Sequence, residues 1–418
     1  ERMNETQKLR IKAEPRSAVV IGAGVIGVTT AYALARRGIA VTLIDKAEGA
    51  GQGSSFANGA QLSYAYTEAL ANPALLRHLP TLALGQDPAF RLKPALDLDY
   101  LVWLLAFLRN STKARFRANT LAGLRLGLES RLAMQALLAR HPLDFSHQAA
   151  GKLAVYEDPA AFAAAGQMVH LKRENGAVQE ILGKSEAIKA EPALAARPDD
   201  FAGAIFTPQE ELGDPYLFCN AMIALLAQDY GVTVRLGVSV ARLLHDSRPA
   251  GVELTTGERI EADQLVLCAG FGSRAFLRDY GLRGSLMPMK GYSFTAPLGD
   301  AAPKTSITDV KRKIVFCPLN GTLRVAGLAE LGARDVQVDS KRLADLKRGA
   351  QDSLPQAADF AAMNAGWAGL RPMTANSLPI IKRVSPGLAV NIGHGMLGWT
   401  YAMGSAERVS RLVMGDAE

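Results

Sequence analysis

One glycine turn near the start constrains this chain more than any other feature. Residues 17–21 (SAVVI) are an apolar, β-branched run that ends on Gly22-Ala23-Gly24-Val25-Ile26-Gly27. Residues 28–37 then have helix-like composition until Gly38, and a second apolar run, residues 40–44 (AVTLI), closes on Asp45. Strand, Gly-x-Gly-x-x-Gly turn, helix and strand within about 30 residues make a βαβ unit, whose crossover requires parallel strands. Each glycine has a task there. The first permits the tight turn, the second lets backbone approach a pyrophosphate, and the third lets the helix pack on the strand, with the helix N-terminus facing the negative charge. Asp45 lies 18 residues beyond Gly27, at the tip of the second strand, where a carboxylate accepts hydrogen bonds from adenosine ribose hydroxyls.

Two further glycine turns follow apolar strands: Gly270-Phe271-Gly272 with Ala275, and Gly393-His394-Gly395-Met396-Leu397-Gly398. Neither leads to a second strand ending in an acid at the right distance, so neither reads as a nucleotide site of its own. One long ligand accounts for all three. FAD reaches from the first turn to a C-terminal helix, expected at about 401–413, whose positive end faces the flavin N1 and O2 region that becomes anionic on reduction. NAD alone leaves the last turn without a task.

Between these turns, residues 64–200 are Leu/Ala-rich and largely helical, including 121–140, with a strand-like interruption at 151–156. The α/β alternation returns with a helix at 217–230, strands at 232–236 and 264–268, and a hairpin between them. Residues 291–296, 313–317 and 322–326 read as strands of an antiparallel sheet, followed by a helix over 340–353. The expected fold is α/β (α+β overall). A glutathione-reductase-like Rossmann FAD-binding domain, assembled from 15–65, 202–280 and 365–418, is interleaved with a substrate domain of 66–201 and 281–364 built on an antiparallel sheet plus helices. Residues 1–14 are expected to be a flexible lead.

At 418 residues and 49% hydrophobic, the chain is long enough for two large cores. Its 47 Lys and Arg against 40 Asp and Glu leave a mild formal charge of +7. No basic run is interleaved with aromatics, so nucleic acid is not an expected partner. Cys219, Cys268 and Cys317 stand 49 residues apart, which gives neither a zinc ribbon nor a disulfide framework, and a reducing compartment fits best. The first 15 residues are charged and lack the apolar core of a signal peptide, so export is not expected. Residues 101–108 (LVWLLAFL) are too short to span a bilayer, which takes about 20. Arg109, Lys113, Arg115 and Arg117 flank them. The expectation is a buried helix with a solvated basic end, and the alternative is a helix lying on anionic lipid. The expected location is cytoplasmic, with peripheral contact to the cytoplasmic face of the inner membrane left open. The motifs of serine hydrolases, zinc proteases and P-loop enzymes are absent from the sequence.

The selective motifs lie further along: Ser54-Ser55-Phe56-Ala57-Asn58-Gly59-Ala60-Gln61-Leu62-Ser63, Gly213-Asp214, Met289-Lys290-Gly291-Tyr292-Ser293, Leu323-Arg324-Val325-Ala326-Gly327-Leu328-Ala329-Glu330, Trp367-Ala368-Gly369-Leu370-Arg371-Pro372-Met373-Thr374 and the turn at Gly393. In this order they resemble the D-amino-acid dehydrogenases of the D-amino-acid oxidase and glycine oxidase superfamily, over roughly residues 17–413. The resemblance implies non-covalent FAD and oxidation of the Cα–N bond of a D-amino acid to an imine. Water then hydrolyses the imine to a 2-oxo acid and ammonia, and the electrons pass to a quinone-type acceptor. The alternatives are an oxygen-using oxidase of glycine, sarcosine or another secondary amine, a D-hydroxyproline-type dehydrogenase, and a non-catalytic flavin-bound subunit.

The cofactor residues so implied are Gly22, Gly24, Ile26, Gly27, Asp45 and Lys46 in the first βαβ unit. Ser54, Ser55, Asn58, Gly59, Gln61 and Leu62 follow along the flavin, Val240 lies at the adenine end through its backbone, and Gly270, Gly395, Met396, Leu397 and Gly398 complete the set. Hydride transfer from Cα to flavin N5 needs a neutral amine, a gripped carboxylate and an oriented approach more than a dedicated acid/base pair. Arg371, between a Trp and a Pro, offers a guanidinium fork that matches a carboxylate bidentately. Tyr292 is expected to add a hydroxyl to that carboxylate, with a core aromatic as the competing reading, and Lys290 to stand near it or to be an ordinary surface lysine. His394, the only one of six histidines inside a motif, is expected to support the flavin turn, with a direct proton role as the lesser alternative. Asp45 in place of Glu, Pro215-Tyr216 after Gly213-Asp214, and Ala375-Asn376-Ser377 depart from the usual pattern. These departures bear on which substrate is taken rather than on the chemistry.

Overall fold

In the computed structural model, which describes residues 16–77, 87–95, 97–247 and 249–415, Ser17–Ile21 and Ala40–Ile44 are adjacent parallel strands joined by the helix Val25–Ala35. The helix starts at Val25 rather than Val28, directly on Gly24 as its N-cap. Six strands complete this sheet in the order Ile380–Ser385, Leu388–Ile392, Gln264–Leu267, Ser17–Ile21, Ala40–Ile44, Thr233–Arg235, parallel throughout except at the first. Both faces are covered, which is why the central strands read as unbroken apolar runs. Ala18 and Val20 pack with the helix Val25–Ala35 and the C-terminal helix Gly398–Met414, whereas Val19 and Ile21 pack with the strand Ala250–Leu254. That strand is the middle of an antiparallel meander with Val240–Leu244 and Arg259–Ala262, one strand more than the expected hairpin.

The second sheet runs Trp367–Met373, Met287–Pro297, Thr322–Leu331, Ile314–Leu319, Ser306–Asp309, Lys152–Tyr156, Gly203–Thr207, Glu180–Gly183, with Phe90–Leu92 added beside Thr322–Leu331. It is antiparallel except at Ser306–Asp309 with Lys152–Tyr156 and at Phe90–Leu92. Its outer face is closed by the helix Ser340–Ser353, whose Leu343, Leu346 and Ala350 pack with Tyr292, Phe294, Ile314 and Phe316. Two expected boundaries move. Trp367–Met373 pairs with Met287–Pro297, and Gly203–Thr207 with Lys152–Tyr156, so 203–207 and 367–373 complete the second sheet instead of the dinucleotide domain. Hydrogen-bond partners, not composition, decide which sheet a short apolar strand joins. Residues 1–14, expected as a flexible lead, lie outside the described residues.

Residues 101–108 lie in the helix Leu98–Asn110, whose N-cap Asp97 accepts the Tyr100 N–H. This is not the buried helix that was expected. Trp103 and Phe107 stack inward, but Leu98, Leu101, Val102, Leu105 and Leu108 are 39–55% exposed. Among the described residues no helix is long and apolar enough to cross a membrane.

One extended strap, residues 54–66, crosses the inner face of the second sheet strand by strand. Ser54 Oγ donates to the Leu370 carbonyl (2.5 Å), and the Ala57 carbonyl accepts from Ser293 Oγ (2.5 Å). The Asn58 carbonyl accepts from Arg324 Nη1 (3.2 Å), and Gly59 lies so close to Val315 that a Cβ would stand 3.0 Å from its Cγ2. Gln61 Nε2 donates to Ser306 Oγ (2.8 Å), and Ser63 Oγ accepts from Lys152 Nζ (2.9 Å). The strap thereby holds the Asn58–Leu62 motif between the two sheets.

Candidate active site

The carboxyl ends of three neighbouring parallel strands, Ser17–Ile21, Gln264–Leu267 and Leu388–Ile392, each run into a glycine turn. Turns far apart in sequence thus stand side by side, at the edge where open α/β sheets bind ligands. Gly22 has φ +112°, and a Cβ there would lie 2.6 Å from the Cys268 carbonyl oxygen, just before Gly270. At Gly27 a Cβ would fall 1.6 Å from the Gly22 carbonyl oxygen, so only glycine lets the helix close on the turn. Two helices start from this edge, Val25–Ala35 on Gly24 and Gly398–Met414 on Leu397, and neither N-cap residue supplies a side-chain cap. Such N-termini leave N–H donors and a positive dipole end for an anion. The donors and the glycine cradle fit an FAD: the N-terminus of the first helix would hold its pyrophosphate and that of the last the pyrimidine edge of its flavin. Asp45 also braces the turn, its Oδ2 accepting the Ala23 N–H (2.6 Å) and its Oδ1 the Ala47 N–H (2.8 Å). The segment leading to Val240 docks against the same tip, where the Val238 N–H donates to the Asp45 carbonyl (3.0 Å).

At the start of the strap stands Arg371. Gly291 and Gly369 face one another on adjoining strands, and both open a slot on the inner face of the sheet. A Cβ at Gly291 would stand 2.3 Å from Arg371 Nη2, and one at Gly369 would stand 2.2 Å from the Trp367 ring. Arg371 Nη1 donates to the Leu328 carbonyl (3.1 Å). Leu328 itself has φ +59°, rare for a leucine, beside the irregularity where Thr322–Leu331 slips against Lys290 and Tyr292. Strain held in a bulge so aims a carbonyl at the guanidinium. Among the described residues no carboxylate pairs with Arg371, and burial pushes its pKa down to about 10. A half-buried cation with no counter-ion beside it is the arrangement an incoming carboxylate relieves.

The family described as FAD dependent oxidoreductase matches residues 17–412. The chain belongs to this family. It is 40% identical to the D-amino acid dehydrogenase 2 of Ralstonia nicotianae over 94% of this chain and 95% of that protein. It is 39% identical to the D-amino acid dehydrogenase 2 of Pseudomonas aeruginosa, with 94% of each covered. Among solved structures it is similar in fold to the glycine oxidase of Geobacillus kaustophilus, with a TM-score of 0.75 at 21% identity over 97% of this chain and 95% of that one. The mixed α/β architecture and the FAD requirement are those of the FAD-dependent oxidoreductases.

Within this FAD-dependent oxidoreductase, several expected site residues lie elsewhere. Side chains alternate along a strand, and the register Met289↔Arg371, Gly291↔Gly369 puts those four on the inner face and Lys290 and Tyr292 on the outer one. Tyr292 is buried with Phe294 and Leu346, and its hydroxyl donates to Glu330 (3.4 Å), while Lys290 Nζ donates to Asp335 (2.7 Å). Neither is brought to Arg371. His394 is buried with its Nε2 3.0 Å from Ser405 Oγ on the C-terminal helix, and burial pushes its pKa down to about 3. A neutral ring so tied braces the last turn. Leu62 is fully buried in the dinucleotide core, so the strap presents backbone there. Ser55 Oγ accepts the Val25 N–H (3.1 Å), Asn58 Oδ1 accepts the Ala60 N–H (2.9 Å), Ile26 packs partly buried on that core, Lys46 is exposed, and Gly395 has φ +58° beside the exposed Met396.

Arg324 was not singled out by its residue type, yet its guanidinium reaches the Asn58 carbonyl, Thr295 Oγ1 (2.8 Å) and Asp214 Oδ2 (3.1 Å) and so pins the strap. Its motif was visible in the sequence, but its role follows from the strap's path. Nothing in the sequence marks Leu328 for a positive φ.

Proposed function

We propose that this FAD-dependent oxidoreductase is a dehydrogenase of D-amino acids that yields 2-oxo acids and ammonia and passes electrons to a quinone-type acceptor. The single observation that carries the reading is the slot holding Arg371, a half-buried guanidinium with no carboxylate partner among the described residues, on the sheet face that meets the strap. The names of the relatives at 39–40% identity support the substrate class. Bound FAD supplies the hydride acceptor. Arg371 holds the substrate carboxylate with its fork, the Leu328 carbonyl sets the angle of that fork, and the strap between Ser54 and Ser63 fixes the opposite wall. A substrate pinned at its carboxylate has only its Cα hydrogen and amine left to orient, which is the geometry hydride transfer requires.

A lipid-borne acceptor is supported by the helix Leu98–Asn110. Five exposed apolar side chains beside Arg109, Lys113, Arg115 and Arg117, all of them exposed, match the pattern of a helix lying on anionic lipid. Trp103 Nε1 on the inner side of that helix donates to the Met373 carbonyl (2.9 Å), two residues from Arg371. The test is anaerobic mixing of the yellow protein with a panel of D- and L-amino acids and simple amines. Bleaching by D-amino acids alone supports the reading, and bleaching by L-amino acids or by amines without a carboxylate overturns it. Reoxidation by a soluble quinone much faster than by dissolved oxygen supports the acceptor, and equal rates remove it.

A further inference from the structure

Two of the three tryptophans are ordinary core residues. Trp103 is buried with its Nε1 donating to the Met373 carbonyl (2.9 Å), and Trp399 is buried with its Nε1 donating to the Gly213 carbonyl (3.0 Å). Trp367 shares none of this. It is half-buried on the inner face of the edge strand Trp367–Met373, and among the described residues its indole joins no buried apolar cluster, pairs with no other ring and makes no hydrogen bond. An indole left partly wet forgoes the burial that makes so large a residue stabilising, so packing does not account for its place.

Its neighbours do. The six-membered ring of the indole lies over Gly369, where a Cβ would stand 2.2, 2.4 and 3.1 Å from Cη2, Cζ2 and Cζ3. The Arg371 guanidinium lies in the same way over Gly291, where a Cβ would stand 2.3, 2.4 and 2.7 Å from Nη2, Cζ and Nη1. Gly291 and Gly369 are register partners, and such partners on antiparallel strands are about 4.5–5.5 Å apart, so ring and fork lie side by side on one bare patch of sheet. The other side of the fork is filled. Met289, the register partner of Arg371, and Met373, the next inward residue of its strand, are buried with Trp103 and Phe107. Met373 also leans on the last glycine turn, bridging to His394 and lying so close to Gly395 that a Cβ there would stand 3.2 Å from its Sδ.

A carboxylate taken by Arg371 therefore has buried methionines and the last glycine turn on one side and open space over an indole on the other. We propose that Trp367 is the wall of the substrate side-chain pocket and that it selects D-amino acids with large, flat apolar side chains such as that of phenylalanine. The inference rests on the reading of the protein as a D-amino-acid dehydrogenase and adds to it a class of side chain. A ring laid offset on the indole gains stacking beyond the area it buries, whereas the methyl of D-alanine is too short to cover it. Polar groups that could favour a charged side chain are turned away or committed. Lys290, Tyr292 and Glu330 face the outer side, where Glu330 takes the Tyr292 hydroxyl and Arg342, and Ser293, the register partner of Trp367, gives its hydroxyl to the Ala57 carbonyl. An acidic or basic side chain would lose water over the indole without a partner in return.

The test is anaerobic bleaching of the FAD-bound protein by D-phenylalanine and by D-alanine, compared as second-order rate constants. The unaltered protein should favour D-phenylalanine by about tenfold or more, and Trp367→Ala should cut that ratio by about tenfold or more. Trp367→Phe should restore most of it, because the side chain meets a ring and not the indole nitrogen. A fall shared equally by both substrates, or no fall at all, overturns the wall. Should Trp367→Ala lose FAD, Trp367→Leu decides by the same ratio, since it keeps apolar bulk and removes the ring. A protein that no amino acid bleaches refutes the substrate reading instead, and the wall is then judged by binding alone. Phenylacetate should perturb the flavin absorption at about tenfold lower concentration than acetate, a difference that Trp367→Ala or Trp367→Leu should erase. Equal affinities in the unaltered protein overturn the wall.

Discussion

At the scale of single residues, Arg371 and Gly291 form one device. The arginine supplies the charge and the glycine the space for it. Removing one side of a buried charge pair costs about 2–5 kcal/mol, so Arg371→Ala should lower kcat/KM for the best D-amino acid by roughly 1.5–3.5 powers of ten with FAD content retained. Arg371→Lys should recover only part, because a point charge cannot reproduce the planar fork. Gly291→Ala places a methyl 2.3 Å from the guanidinium. It should therefore raise KM and lower kcat/KM by about tenfold or more, and steady-state kinetics showing a wild-type KM would refute the slot. Arg371 could be picked out as a candidate from the sequence because a guanidinium fork matches a carboxylate, and the structure places it in a slot opened by Gly291 and Gly369. The places of Tyr292 and Lys290 were not legible, because which face of a strand a side chain takes is set by its register with the neighbours, and a one-residue shift reverses it.

At the scale of elements, the glycine turns and their strands were readable, since local composition and spacing dictate them. The strap was not. Its ties reach six successive strands of the second sheet, from Leu370 to Lys152, and no local pattern encodes partners that far away. The helix Leu98–Asn110 gave the wrong expectation for a related reason: an apolar octet reads as core until its exposure is known. That exposure predicts a measurable surface. Leu101→Ser with Leu105→Ser should sharply reduce flotation with vesicles containing anionic phospholipid while leaving anaerobic bleaching by substrate intact. Replacing Arg109, Lys113, Arg115 and Arg117 by Gln should make the residual binding insensitive to salt. Unchanged flotation in both variants, with a lower oligomeric state in the leucine variant, would make the face a contact between copies of the chain.

At the scale of the whole molecule, the second sheet must stay rigid for the strap to hold the flavin wall, and its middle strands are locked by buried charge. Arg197 Nη2 lies 2.9 Å from Asp309 Oδ2, which also accepts from Ser353 Oγ (2.7 Å) and from Arg312 Nη1 (3.0 Å), and Glu157 joins both arginines. Burial alone would raise the Asp309 pKa, but Arg197 and the other donors outweigh it and hold the carboxyl below its ordinary value. The sign follows from linkage. A carboxyl depressed in the folded state adds stability that is fully present above its unfolded pKa of about 3.9 and is lost as pH falls through the folded value. Asp309→Asn keeps the shape and removes the charge. At neutral pH it should cost about 1.5–3 kcal/mol, the worth of hydrogen bonds to a charged group. That deficit should shrink as both proteins are taken below about pH 4, where the wild-type carboxyl loses its advantage too. Denaturant unfolding at a series of pH values measures it, and a deficit independent of pH would show that Asp309 acts through packing alone.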